Sequence, residues 1–313
     1  MTEQTPSSIL VDWGTTNFRA YLLDEQGNCL AEKSAPSGIS QINGKFEFTL
    51  NVNIGDWLKQ YDNLTVILAG MIGSQIGWKN TPYVDCPAPV NGYGQYGVQV
   101  EEFNNGNCFI IPGMKQDTAD GKVDVMRGEE LQVIGASLLA NDTEEAAYCC
   151  PGTHTKWVKV QQGNITSIST AMTGEMFALL SSHSILANSL DKTSELDEAA
   201  FMKGLEYSQQ PGGLLNHIFS VRTQFVTGKQ DTSAGAGYLS GILIGHEISA
   251  FINANGKDAI GTCHIIGSSG LSKLYQTAMN HFGISNALIA DKDASIAGAN
   301  SLIQQLKDKL CHA

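Results

Sequence analysis

A short apolar run at residues 9–11 is followed directly by the turn Asp12-Trp13-Gly14-Thr15-Thr16. Glycine lets the backbone of a turn come close to a ligand, and successive N–H groups in such a turn form a concave site for phosphate oxygens. The hydroxyls of Thr15 and Thr16 supply further hydrogen-bond donors. The turn therefore has the residue types of a phosphate-binding loop.

Two charged side chains flank this turn. Asp12 cannot contact phosphate directly because both groups are anionic, but an aspartate can hold the hydrated Mg²⁺ of a nucleotide. Arg19, at the start of the second apolar run, is a fixed cation that could neutralise charge on a transferring phosphoryl group. An ordinary hairpin with a glycine turn explains this segment equally well when it is considered alone.

Residues 147–171 repeat the layout of this segment. A predicted strand leads to Gly152-Thr153, a second strand leads to a Gln-Gly-Asn turn, and a third strand follows. The first segment has the same Gln-Gly-Asn turn at residues 26–28. Repetition of a supersecondary unit favours a phosphate site over coincidence, since two such units could hold one polyphosphate from both sides.

The elements that position these turns form two similar halves. Each half is predicted to have three consecutive strands, followed by helices that alternate with two more strands. This pattern predicts an α/β fold with a five-stranded mixed sheet flanked by helices, built twice. We place the boundary near residue 145, giving domains 1–145 and 146–313, with the nucleotide and the acceptor in the cleft between them.

Two stretches show little periodicity. Residues 75–107 contain Trp78 and Tyr83, and this aromatic content favours an ordered, functional segment over the acceptor side of the cleft. Residues 116–122 are polar and are predicted to be a connection. The loop 70–74 follows a buried strand at its carboxyl end, where open α/β sheets bind their ligands.

The turn Asp12-x-Gly14-Thr15-Thr16-x-x-Arg19 resembles the first phosphate loop of the actin, Hsp70 and sugar-kinase superfamily, and Gly152-Thr153 resembles its second. Four further stretches resemble the 2-dehydro-3-deoxygalactonokinases, bacterial kinases of galactonate breakdown. They lie at residues 68–74, 126–130, 151–158 and 172–180, so the resemblance covers most of the chain. It implies two actin-like (ribonuclease H-like) domains, the first on the sugar-acid side and the second on the adenosine side.

The resemblance also implies the reaction, which is transfer of phosphate from ATP to the 6-hydroxyl of 2-dehydro-3-deoxy-D-galactonate with Mg²⁺. In this scheme Asp12 anchors the metal and Arg19 contacts the γ-phosphate. Glu129, in Gly128-Glu129-Glu130, is the candidate catalytic base, with Glu130 and Asp124 as alternatives. An acidic first helical turn would also explain the two glutamates, because the helix dipole favours negative charge there.

The remaining candidates bind nucleotide or acceptor. Gly267-Ser268-Ser269-Gly270 resembles the adenosine loop, and Lys156 and His154 could reach phosphate. The candidate acceptor-binding residues are Gly70, Met71, Ser74, Trp78 and Arg127. The acceptor carboxylate requires a cation, for which Arg127, Lys79 and Arg222 remain open.

Net charge and cysteine usage restrict the class of protein. The chain of 313 residues has a net charge of −12 with only 19 lysines and arginines, which argues against nucleic acid or an anionic membrane as partner. It shows no leader and no apolar run long enough to span a bilayer, and its seven cysteines include no Cys-x-x-Cys pair. We therefore expect a cytoplasmic protein with reduced thiols.

Two other functions are compatible with this sequence. An exopolyphosphatase-like phosphohydrolase of the same fold could use a glutamate of residues 128–130 to activate water. A nucleotide-switched binding protein is the second alternative, although 313 residues leave little room for an added binding domain. The oligomeric state is open, with a homodimer as one alternative.

Overall fold

The computed structural model describes residues 5–141, 145–257, 260–267 and 270–311. The strands along these residues are β1 (Pro6–Trp13), β2 (Phe18–Asp24), β3 (Cys29–Ala35), β4 (Thr65–Gly70), β5 (Val84–Asp85), β6 (Ala88–Pro89), β7 (Val98–Gln99), β8 (Asn107–Ile110), β9 (Met114–Asp117), β10 (Val123–Met126), β11 (Glu145–Cys150), β12 (Thr155–Gln161), β13 (Asn164–Ala171), β14 (Cys263–Ile266) and β15 (Asn286–Ile289). The α-helices are α1 (Phe46–Gln60), α2 (Glu129–Ala140), α3 (Thr173–His183), α4 (Glu198–Ser208), α5 (Leu214–Val226), α6 (Thr232–Asn255), α7 (Gly270–Phe282) and α8 (Asp291–Cys311).

The chain divides into two compact units. The first comprises Met1–Glu145, Val158–Ser169 and Ile289–Ala313, and the second comprises Ala146–Trp157 and Thr170–Leu288. The C-terminal helix α8 thus belongs to the same unit as the turn Gly14-Thr15-Thr16. The division into functional domains at residue 145 stays a prediction.

Two large sheets share one strand order. The first sheet runs β3-β2-β1-β4-β8-β7, and the other runs β15-β14-β11-β12-β13-β6. The first sheet runs from its third hairpin strand, β3, through β2 and β1 to the later strands β4 and β8. The second sheet, read from β13, runs in the same way through β12 and β11 to the later strands β14 and β15. The β1–β4 and β11–β14 pairs are both parallel, so the sequence repeat is also a repeat of topology.

The prediction of five strands per sheet was short by one edge strand in each. The additional strands β7 and β6 are two residues long, which is too short to show alternation in the sequence. A third sheet, β10-β9-β5, was also missed. The segment 116–122, predicted to be a polar connection, contains the end of β9 and the turn that leads to β10. Both strands carry mainly polar or exposed residues, which is why they were missed.

An apolar core supports the first sheet of unit 1. Trp13 and Phe18, which flank the first turn, are fully buried in it with their rings edge to face at 5.0 Å. On the same unit, helices α2 and α8 approach closely through two glycines. A methyl group on Gly135 would lie 1.8 Å from the Ala294 carbonyl oxygen, and one on Gly298 would lie 2.2 Å from that of Leu131. These contacts fix the start of α8.

Helix α6 forms the centre of unit 2. Glycines again allow close packing, here against α4, since a methyl group on Gly204 would lie 2.3 Å from the Tyr238 carbonyl oxygen. Helix α3 begins at Thr173, so the Thr-Gly-Glu stretch of residues 173–175 forms its first turn. Within the part of the chain described, no helix combines the length and apolar character needed to cross a bilayer.

Candidate active site

The first glycine–threonine turn is held from one side. The N–H groups of residues 38, 39 and 40 donate to the carbonyl oxygens of Thr16, Gly14 and Thr15 at 3.0–3.1 Å. Gly38 packs so tightly there that a methyl group on it would lie 2.2 Å from the Thr15 carbonyl oxygen. The side chains of Thr15 and Thr16 are exposed. The carbonyl oxygens, which would repel an anion, are thus engaged by protein while the threonine hydroxyls stay accessible.

Asp12, Arg19 and Asp291 form a charged group beside this turn. Asp12 and Arg19 are cross-strand partners in the β1–β2 hairpin, and the Arg19 Nη1 donates to Asp291 Oδ2 at 3.2 Å. Burial raises the pKa of Asp12, the Arg19 guanidinium opposes that rise, and the Asp291 carboxylate adds to it. A bound cation would favour the charged form of Asp12, so this carboxylate has the chemistry expected of a metal anchor.

Three chain segments of unit 1 meet at Gly70. A methyl group there would lie 2.9 Å from the Trp13 carbonyl oxygen and 3.5 Å from Asp12 Oδ1. On the other side, a methyl group on Gly128 would lie 3.2 Å from the Gly70 Cα. Both glycines have φ values in the left-handed region, 91° and 109°. The predicted metal anchor, the predicted acceptor loop and the residue before Glu129 are therefore neighbours.

The three candidate bases differ in their surroundings. Glu130 is completely buried, and burial together with the adjacent Glu129 raises its pKa to about 8. Its Oε2 accepts from the Gly128 N–H at 2.6 Å. Glu129 is partly exposed, and its Oε2 accepts from the Arg127 N–H at 3.1 Å. Asp124 accepts from the N–H of Val125, the next residue on β10.

Arg127 is fixed by the segment that was predicted to be functional. Its Nη1 and Nη2 donate to the Thr81 hydroxyl and carbonyl oxygens at 2.7 and 3.1 Å, and its guanidinium lies 4.4 Å from the centre of the Tyr83 ring. The Nε of Arg127 and the Oγ of Ser74 are buried and have no hydrogen-bond partner among the described residues. The two residues therefore retain polar atoms that a ligand could engage.

The other candidates for the acceptor are placed less favourably. The Trp78 ring stacks on Phe46 at 6.3 Å and packs against the core of unit 1. Lys79 Nζ donates to the Gln99 carbonyl oxygen. Arg222 lies on α5 of unit 2 and donates to the Ser189 hydroxyl. Met71 begins a short 3₁₀ helix, Met71–Gly73, directly after Gly70.

The second glycine–threonine turn, like the first, is packed against a glycine and accepts a backbone hydrogen bond. The Glu175 N–H donates to the Thr153 carbonyl oxygen at 2.9 Å. A methyl group on Gly174 would lie 2.3 Å from the Gly152 carbonyl oxygen. Gly174 therefore packs against the second turn as Gly38 packs against the first. Thr153 is exposed. Both turns thus present their threonines outward and are packed against a glycine that follows the third strand.

The remaining candidates of unit 2 have protein partners or lie at a helix start. Lys156 is buried and its Nζ donates to the Thr170 hydroxyl at 2.9 Å, while His154 Nε2 lies 2.5 Å from Glu175 Oε2. Gly267 directly follows β14, and Gly270 begins α7. Ser268 and Ser269, predicted to contact adenosine, lie outside the described residues.

Glu247 was missed by the sequence analysis. It is buried in α6, and the Trp157 Nε1 donates to its Oε1 at 2.7 Å. The hydroxyls of Thr173 and Tyr275 both donate to its Oε2. Burial raises the pKa of Glu247, and these three hydrogen bonds oppose the rise. A single carboxylate in the apolar stretch of residues 238–251 is the sequence signal that could have revealed it.

A family model described as 2-keto-3-deoxy-galactonokinase matches residues 12–302. The chain belongs to this family. It is 33% identical over 302 residues to the 2-dehydro-3-deoxygalactonokinase of Escherichia coli (strain K12), covering 95% of this chain and 98% of that protein. The match includes both glycine–threonine turns and the segments around Gly70 and Glu129.

Two solved structures extend the comparison. A Sinorhizobium meliloti protein assigned to 2-dehydro-3-deoxygalactonokinase has a TM-score of 0.88 at 29% identity, with 96% of this chain and 99% of that chain covered. An activator of 2-hydroxyisocaproyl-CoA dehydratase from Clostridium difficile has a TM-score of 0.50 at 10% identity, with 98% and 97% covered. This second likeness concerns the fold alone.

Membership of the 2-keto-3-deoxy-galactonokinase family confirms the predicted class of enzyme. The protein is a kinase, an ATP-using phosphotransferase that acts on a sugar acid. The predicted α/β fold, with a mixed sheet built twice and flanked by helices, is also confirmed, with six strands in place of five in each large sheet. The roles of the individual site residues stay predictions.

Proposed function

We propose that the protein transfers the γ-phosphate of ATP to the 6-hydroxyl of 2-dehydro-3-deoxy-D-galactonate, forming 2-dehydro-3-deoxy-6-phosphogalactonate and ADP in galactonate catabolism. Family membership supports the acceptor, because the relative from Escherichia coli bears the name of that kinase. We further propose a cytoplasmic location and keep a homodimer as the prediction that a sedimentation measurement would test.

One observation carries the proposed phosphate role of the two turns. Gly14 and Gly152 are not required by the fold, since a methyl group on either would lie at 3.6 or 4.0 Å from the nearest atom, an ordinary contact. Neither residue has a φ in the left-handed region. By contrast, their supporting glycines Gly38 and Gly174 have no room for a methyl group. Space left open at both turns fits the close approach of a ligand such as phosphate.

The charged group of unit 1 supports a division of roles on the phosphate side. Asp12 would hold Mg²⁺ through water, since this metal keeps several waters and takes one or two carboxylates besides substrate phosphates. Bound there, the metal would neutralise charge on the phosphates. Arg19, which is 43% exposed and held at Asp291, is available to contact the γ-phosphate.

Glu129 remains our choice as the base, on grounds of access. A base must come within hydrogen-bond reach of the hydroxyl it deprotonates. Glu129 is partly exposed, whereas Glu130 is fully buried. With a pKa of about 8, Glu130 would also be mainly protonated at neutral pH. We propose that Glu129 accepts the proton of the 6-hydroxyl and that Glu130 orders the Gly128 turn.

Arg127 is the proposed partner of the acceptor carboxylate. Its guanidinium is already oriented by Thr81 and Tyr83, so little side-chain entropy is lost on binding. Its Nε has no partner within the described protein. We rank Lys79 second as a partner of this carboxylate, because its Nζ already donates to a backbone carbonyl oxygen. We rank Arg222 last because it lies on α5.

A coupled ADP-release assay tests this proposal with a panel of acceptors. The panel contains 2-keto-3-deoxy acids of both configurations at C4, their reduced forms and ordinary hexoses, each with and without Mg²⁺. We expect turnover with 2-dehydro-3-deoxy-D-galactonate and Mg²⁺, and a product with phosphorus on C6 by NMR. Equal ADP release in the absence of any acceptor would contradict the proposal and favour a phosphohydrolase.

A further inference from the structure

Glu247 connects three separate elements of unit 2. It lies on α6, and its donors are Trp157 on β12, Thr173 on α3 and Tyr275 on α7. The Tyr275 hydroxyl also lies 2.8 Å from the hydroxyl of Thr155, the first residue of β12. Both carboxylate oxygens are therefore engaged, and the network extends to the residue where the second turn ends.

Two of the elements bound by Glu247 adjoin the second turn. Thr155 and Trp157 follow Gly152-Thr153 in the chain, so they fix the strand that leaves the turn. Thr173 begins the helix whose next two residues, Gly174 and Glu175, contact the turn backbone. Tyr275 lies on the helix that follows Gly267. The carboxylate of Glu247 thus bonds both the strand that leaves the turn, β12, and the helix that supports the turn, α3.

The chemistry of the three hydrogen-bond donors makes position 247 sensitive to substitution. The indole N–H of Trp157 can only donate, so the group facing it must be an acceptor. The hydroxyls of Thr173 and Tyr275 can either donate or accept. Glutamine at position 247 can therefore keep all three contacts by turning its amide nitrogen toward the hydroxyls. Leucine removes the acceptor of all three donors and leaves the buried indole N–H of Trp157 without one.

We propose that Glu247 is a positioning residue that holds the second phosphate loop, Gly152-Thr153, in the shape that binds the phosphates of ATP. This inference rests on the proposed function of that loop. Glu247 itself is buried beneath the turn and acts through Thr173 and Thr155 rather than by contact with nucleotide. Its loss should therefore weaken ATP binding and leave the affinity for the sugar acid intact.

The test compares the full-length variants Glu247→Leu, Glu247→Gln and Tyr275→Phe. Ile248→Ala is the matched control, because Ile248 is the next residue of the same helix, is fully buried, and belongs to the apolar core of unit 2. For each variant, steady-state kinetics give the KM of ATP, the KM of the sugar acid and kcat. Calorimetric titration gives the affinity for ATP, and thermal unfolding gives the loss of stability.

We expect Glu247→Leu to raise the KM of ATP about tenfold or more, with the KM of the sugar acid changed less than about twofold. Glu247→Gln should recover most of this loss, and Ile248→Ala should lower the Tm without changing either KM. Tyr275→Phe, which keeps the ring and removes one donor, should raise the KM of ATP about threefold. If Glu247→Leu does not fold, Tyr275→Phe tests the proposal in its place.

The inference is overturned if Glu247→Leu or a folded Tyr275→Phe has the ATP affinity of the wild type. It is also overturned if both KM values rise in parallel, as general destabilisation would cause. Failure of the wild type itself to bind ATP would instead reject the proposed function of the loop. The two failures are therefore distinguishable in one set of titrations.

Discussion

The two glycine–threonine turns are each packed against a glycine but lie beside different side chains. The first lies next to a partly exposed ion pair, Arg19 with Asp291, whose side chains are 43% and 26% exposed. The second lies above Glu247, a buried carboxylate with three uncharged donors. Both halves therefore pack a glycine against the turn, while the side chains beside the turn differ.

This difference suggests a division of labour. A cation that meets a transferring phosphoryl group must be reachable, and Arg19 in its pair with Asp291 is 43% exposed. The cation of the second turn, Lys156, is buried and donates to Thr170. We infer that the first turn supplies charge where bonds change and that the second turn mainly holds the nucleotide.

The largest predicted effect is on kcat, through the candidate base in the unit that contains the first turn. Glu129→Gln should lower kcat by roughly 10²–10⁴-fold, because a positioned base contributes that much. The affinity for ATP should stay nearly intact, and pre-steady-state kinetics would separate chemistry from product release. Asp124→Asn is the matched control. Near-normal turnover of Glu129→Gln together with loss in Asp124→Asn would move the base to Asp124.

A second prediction compares how the buried carboxyl groups of Glu130 and Glu247 make the free energy of unfolding depend on pH. Glu130 has a folded-state pKa of about 8 and an ordinary value of 4.5, so the folded state binds the proton more tightly. The stability that it contributes is complete below pH 4.5 and is lost as pH rises through 8. The wild type should lose roughly 2–4 kcal/mol of unfolding free energy over this window, and Glu130→Gln should lack that loss.

Urea unfolding at several pH values between 5 and 8 measures this effect. Glu247→Gln provides the comparison, since the three donors of Glu247 oppose the rise of its pKa. Parallel profiles for wild type and Glu130→Gln would show that Glu130 is charged in the folded protein.

The third prediction tests whether the two supporting glycines are equivalent. Gly38→Ala and Gly174→Ala place a methyl group 2.2 and 2.3 Å from the backbone oxygens of their turns. Overpacking of this kind costs roughly 1–3 kcal/mol, and the turns must shift to relieve it. Both variants should therefore lose kcat/KM for ATP about tenfold or more.

Gly55→Ala on α1 is the control for this pair, because a methyl group there meets only Asn51 Cβ at an ordinary 3.9 Å. A loss in one variant and full activity in the other would break the proposed equivalence of the turns.

The smallest effect is expected for Asp291→Asn. The Arg19–Asp291 pair is partly exposed, so its removal should change the free energy of unfolding by less than about 1 kcal/mol. Thermal unfolding at low and high salt would measure it. A loss several times larger would show that the first turn depends on its ion pair as strongly as the second turn depends on Glu247.

The sequence was sufficient for the elements that repeat and insufficient for contacts across long separations. Both hairpin units and the five principal strands of each large sheet follow from apolar runs and turn residues. Asp291 lies 272 residues from Arg19, and Glu247 lies 90 residues from Trp157. Local periodicity carries no information on such pairs. Gly38 could have been found, because a glycine also follows the third strand of the second unit, at Gly174.

The central claim is that both turns bind the phosphates of ATP, and calorimetric titration of Gly14→Ala and Gly152→Ala tests it most directly. A methyl group at either position fits the protein alone, at 3.6 and 4.0 Å from the nearest atom, so the Tm of both variants should equal that of the wild type. Each variant should nevertheless lose ATP affinity about tenfold or more, since the methyl group would occupy the space of a phosphate. Unchanged ATP affinity in either variant would contradict the claim for that turn.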